Sequence, residues 1–129
     1  MNYQRKMKKA FLTLVFIASI LSCAKDNEGP LIMPVGAEPS AKLHNDSGIS
    51  HYQSKRYQDA LLQFMQAYAA DKTTGEIHFN IALAYHKRGN SKKAEEHFKL
   101  ARKYANGNNM ILESQLLAVT LNREKQGGG

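Results

Sequence analysis

A triplet of residues recurs at a fixed distance along the chain. Ala60, Phe64 and Ala67 are followed 34 residues later by Ala94, Phe98 and Ala101. The match extends upstream to His44 with His78, Gly48 with Ala82, and His51 with Tyr85. A period of this length is that of a helix–turn–helix unit, which buries its apolar face by stacking on a neighbour. Ala at i and i+7 with Phe at i+4 share one helical face. The small residues let another helix approach and the Phe fills the gap beside them. This is a packing device, so the sequence predicts a protein that presents a surface and is not an enzyme.

Punctuation divides the repeat region into helices. The first is expected from Ala41 to about Ser54, with poor helix formers from Asn45 to Gly48. The second, about Tyr57 to Asp71, is strongly patterned. Thr73-Thr74-Gly75-Glu76 fits a capping box opening a third helix that ends at Arg88. Gly89-Asn90-Ser91 makes the next turn and supplies N-cap oxygens. The fourth helix runs to about Ala105 and is closed by Asn106-Gly107. A single fifth helix is expected from about Met110 to Glu124.

These residues resemble the tetratricopeptide repeat family, whose pattern is W-x2-L-G-x2-Y, then A-x3-F, A and P. Ala41–Thr74 supplies His44, Ser47-Gly48, His51, Ala60, Phe64 and Ala67. Gly75–Asn108 supplies His78, Ile81-Ala82, Tyr85, Ala94, Phe98 and Ala101. His replaces the opening Trp in both, and Lys72 or Asn106 stands where Pro closes the motif. The resemblance implies an all-α fold: two tetratricopeptide-like repeats plus a C-terminal capping helix, an α-solenoid fragment spanning residues 41–126. Residues 127–129 are expected as a flexible tail.

The N-terminus reads as an export signal over residues 1–22. Arg5 to Lys9 is basic and Ala10 to Leu21 apolar, too short to cross a bilayer, which takes about 20 apolar residues. Met7 is an alternative start. The run ends Ile20-Leu21-Ser22-Cys23, which resembles the lipobox of bacterial lipoproteins. That resemblance implies lipid on Cys23, the only cysteine, and anchoring to a bacterial membrane. Ala24 after it implies the outer membrane, facing the periplasm. Residues 23–40 are expected as lipidated terminus and flexible tether, broken by Pro30, Pro34 and Pro39. From Cys23 to Ala41 such a tether reaches at most about 60 Å. Docking of Leu31-Ile32-Met33 on the domain is the alternative.

The formal charge is +7, but four of the 18 basic residues precede Cys23. The remainder is 14 basic against 11 acidic, and nucleic-acid binding loses its support. No catalytic motif and no cofactor site is present. None of the five histidines has the i,i+4 spacing with which two imidazoles share a metal, so no metal is predicted.

In the resembled family, the first helix of each repeat lines a concave groove. By position the groove residues are Asn45, Ile49, Tyr52, Gln53, Phe79, Asn80, Leu83, His86 and Lys87, joined by Glu113, Leu117 and Leu121 from the last helix. Ile49, Phe79, Leu83 and Leu117 carry core membership as the competing reading. Some family members clamp a C-terminal carboxylate. Here only Asn80 falls at such a position, with Asn45, Ile49, Met110 and Ser114 in the other slots, so no clamp is predicted. The groove suits an extended peptide or an amphipathic helix. The expected function is a lipid-anchored envelope adaptor for another protein or peptide, assisting a pilus, secretion, outer-membrane or cell-wall complex. Homodimerisation through the open first helix is a further expectation. The alternative is an accessory that binds an anionic polymer or lipid through Lys92, Lys93, Lys99, Arg102 and Lys103.

Overall fold

The computed structural model describes residues 28–127, apart from the side chain of Glu124. The expected export signal, Cys23 and the last two glycines lie outside the described residues. The protein is all-α. Among the described residues there are six helices and no strand: α1 (Pro39–Gln53), α2 (Tyr57–Ala70), α3 (Gly75–Lys87), α4 (Ser91–Lys103), α5 (Asn109–Leu112) and α6 (Gln115–Gly127). They pack in chain order, α1 on α2, α2 on α3 and α3 on α4, with α5 and α6 closing the end against α4.

The recurring triplets form the core. Ala60, Phe64, Ala67, Ala94, Phe98 and Ala101 are all fully buried. Phe98 meets Phe79 edge to face at 5.6 Å. Helix α3 is the centre of the domain, buried without interruption from Gly75 to Tyr85. It lies between α2 and α4 and also touches α5, so none of its faces is left for water in that span.

Helix α1 runs unbroken through its weak stretch. Pro39 takes the first turn and Glu38 caps it by accepting from the Ala41 N–H. Gly48 is required there by packing: a β-carbon would overlap the Phe64 ring. Asn45 is spent on a tertiary contact described below.

Four expectations are corrected. The capping box before α3 does not form. Both Thr73 and Thr74 hydroxyls donate to Asp71, and Glu76 accepts from Asn108 Nδ2 at 2.6 Å. The last helix is not single but breaks at Glu113–Ser114. Asn108 caps α5 by accepting from the Met110 N–H at 2.9 Å, and Ser114 Oγ accepts from the Leu117 N–H at 3.0 Å to begin α6. Gly127 belongs to the end of α6 and not to a tail.

The fourth correction concerns the tether. Residues 28–38 do not run free of the domain. Met33 is only 5% exposed and belongs to the core, and Leu31 and Ala37 pack against it. The expected tether is therefore, over these residues, a strap bound to the helices.

Candidate functional site

Two asparagines, one on each of the first helices of the two repeats, define the site. Asn45 on α1 and Asn80 on α3 are both fully buried. Asn80 Nδ2 donates to Asn45 Oδ1 at 2.8 Å, which locks the pair across the two helices. Both then turn to the backbone of Leu31. The Leu31 N–H donates to Asn80 Oδ1 at 2.6 Å. The Leu31 carbonyl accepts from Asn80 Nδ2 at 2.8 Å and Asn45 Nδ2 at 3.0 Å. An amide side chain presents a donor and an acceptor side by side, which matches the two main-chain groups of an extended residue. Burial makes this pairing obligatory, since an unpartnered amide in such a place is costly.

The strap has a second anchor at the start of α6. The Glu28 carboxylate accepts from Ser114 Oγ, from the Gln115 N–H at 2.7 Å and from the Leu116 N–H at 3.1 Å. It satisfies amides that the helix leaves open and lies at the positive end of its dipole. Beside Glu28, Gly29 and Pro30 a cavity of about 340 Å³ remains, lined by Tyr52, Gln53, Lys55, Tyr57 and Lys87.

The residues expected in the groove divide accordingly. Asn45 and Asn80 hold the strap, and Tyr52, Gln53 and Lys87 line the cavity beside it. Ile49 is half-buried against the core, and His86 is half-buried at the end of α3. Leu83, Leu117 and Leu121 are buried in the core. Phe79 is 1% exposed and packs on Phe98, so it is core and not groove. Glu113 stands exposed at the break between α5 and α6. Glu28, Leu31, Met33 and Ser114 are the partners that the groove reading misses. The apolar triplet between two prolines is the signal that points to Leu31 and Met33; nothing in the sequence points to Glu28 or Ser114.

A separate polar cluster lies between α3 and α4. His78 Nε2 meets the Lys72 carbonyl at 2.9 Å and must donate to it. Neutral His78 then accepts at Nδ1, so His97 Nδ1–H donates across the 3.1 Å between the two rings. Tyr104 stacks on His78 at 5.6 Å and Tyr68 meets it edge-on at 5.3 Å. Burial lowers the pKa of His97 to about 4, helped by the neighbouring charges of His78 and Lys93. Burial also lowers that of His78, against the Lys72 carbonyl and Asp71, which favour its proton. The pair is a closed structural contact. Among the described residues no group of three or more His, Cys, Asp or Glu is placed to hold a metal ion.

On α4, three of the five basic residues are engaged within the chain. Lys93 lies over Tyr85, Lys103 over Tyr104, and Lys99 pairs with Glu95 at 2.9 Å. Among the described residues no helix is long and apolar enough to cross a membrane.

Comparison with protein-family models, with curated proteins and with solved structures yields no match for this chain.

Proposed function

We propose that the protein is a non-enzymatic adaptor of the bacterial cell envelope, built on tetratricopeptide-like repeats, that binds an extended segment of another protein along α1 and α3. One observation carries this reading: Asn45 and Asn80 spend their side chains on both main-chain groups of one residue, Leu31. Neither amide makes a bond that its own helix needs. A pair so placed recognises peptide backbone, and the walls beside it supply aromatic and cationic side chains.

The lipobox-like Ile20-Leu21-Ser22-Cys23 supports anchoring by lipid, at the outer membrane if Ala24 acts as in the lipoproteins it resembles. With Glu28 fastened to α6, four residues separate it from Cys23, a span of at most about 18 Å fully extended. The anchored domain would then lie close to the membrane surface.

A photo-crosslinking residue at Gln53 or Lys87 of the full chain in envelopes tests the reading. One partner protein should be captured and identified by mass spectrometry, and Asn80→Ala should abolish its capture. Crosslinks that are spread over many proteins, or unaffected by Asn80→Ala, would refute it. Cys23→Ser should release the protein from the membrane fraction, and unchanged fractionation would remove the anchor from the proposal.

A further inference from the structure

The strap joins the core at Met33, yet at Leu31 it is held as a bound peptide would be. Its central residue is held through main-chain groups, which any residue but proline supplies. Its side chains alternate: Leu31 and Met33 face the domain, whereas Ile32 is 76% exposed. Between Glu28 and the start of α1 its only internal backbone hydrogen bond is the turn from the Ala37 N–H to the Pro34 carbonyl. Pro30 and Pro34 each fix one backbone angle and bias the residue before them away from helix, which lowers the cost of ordering the strap in place. The site also extends beyond the strap, into the cavity of about 340 Å³ beside Glu28 to Pro30.

Resting on the adaptor reading above, we propose that residues 28–33 are an exchangeable internal occupant of the Asn45–Asn80 site. They give way to an extended partner peptide carrying a carboxylate side chain three residues before an apolar residue, with a second apolar residue two positions further on. The carboxylate takes the Ser114, Gln115 and Leu116 donors that Glu28 now holds. The first apolar residue presents its N–H and C=O to the asparagines, and the second enters the place of Met33. The covalent link gives the strap a high effective concentration, so a partner competes only as the strap opens. Apparent affinity falls by the fraction of molecules in which the site is open. Displacement would also free residues 28–33 from the domain, so partner binding and the reach of the domain from a lipid on Cys23 rise together.

The test uses the full chain in detergent and a fluorescent peptide, Glu-Gly-Pro-Leu-Ile-Met-Pro, read by anisotropy. The variant Glu28→Ala/Leu31→Pro removes the carboxylate and the N–H of the strap and leaves the groove intact. It should bind the peptide at least about tenfold more tightly than the unmodified chain, as expected when a mostly closed site is opened. A peptide with Gln in place of its Glu should bind more weakly. Equal binding by a variant that retains its helical circular dichroism would overturn the proposal. Hydrogen exchange on the unmodified chain decides independently of that variant. The Leu31 amide should exchange far faster than the Ile81 amide of α3, and equal protection would make the strap a permanent part of the core. Crosslinking at Gln53 or Lys87 is independent of both measurements, so the adaptor reading stands or falls separately.

Discussion

Replacing Asn80 by Ala removes three hydrogen bonds at one fully buried position. Each such bond is worth about 0.5–1.5 kcal/mol net, and a buried partner left unsatisfied costs about 1–3 kcal/mol. The upper end is not reached, because the Leu31 groups recover water if the strap lifts. Asn45 Oδ1 has no such escape and loses its partner inside the protein. The expected loss is therefore about 2–4 kcal/mol, out of the roughly 5–15 kcal/mol that a domain holds in total. For a domain of about 100 residues this lowers the melting temperature by roughly 10–25 °C. Urea unfolding followed by circular dichroism measures it. A cycle with Asn45→Ala sharpens the test. The two side chains share a hydrogen bond, so the double variant should cost about 1 kcal/mol less than the sum of the singles. A loss below about 1 kcal/mol for Asn80→Ala, or strict additivity, would show that the asparagines do not act as a clasp.

Three further outcomes follow from the packing. Phe98→Ala empties a fully buried site against Phe79 and should cost about 3–5 kcal/mol in thermal or chemical unfolding; a melting shift of a few degrees would disprove tight packing there. Gly75→Ala should destabilise more than Gly48→Ala. The new carbon at position 75 comes to 2.6 Å from the Tyr104 carbonyl, a backbone atom that cannot rotate aside. At position 48 the overlap is with the Phe64 side chain, and an overpacking cost of about 1–3 kcal/mol is partly offset by about 1 kcal/mol of helix propensity. Acid should weaken the fold through the histidine pair. Folded His97 titrates at about 4 against 6.5 in the unfolded chain, so the unfolded chain binds more protons between these values. Its contribution is complete above pH 6.5 and is lost as pH falls toward about 4. His97→Phe should flatten that part of a pH–stability curve measured by urea unfolding.

The periodic features of this protein are legible without coordinates because they are local. Ala-x3-Phe-x2-Ala recurring at 34 residues sets two helical faces and their register, and the structure buries all six residues. Asn90 before α4 and the left-handed Gly89 and Gly107 are likewise read from neighbours in sequence. Position in the repeat also brings Asn45 and Asn80 onto corresponding turns of their helices. What they hold depends on contacts across 14 and 49 residues, and no spacing encodes that. Prolines and glycines correctly exclude helix from residues 28–38, yet they do not distinguish a solvated segment from one clasped at its backbone. The difference lies in an apolar triplet finding a groove and a carboxylate finding a helix end, and both partners are set by the packed domain. The same holds for the helix break at Ser114, where a serine within an apolar periodic run becomes a cap once Glu28 is beside it. Local pattern thus determined the first four helices and their buried faces. Tertiary structure alone decided that the site between them is already occupied, because occupancy is a competition between distant groups for the same buried hydrogen bonds.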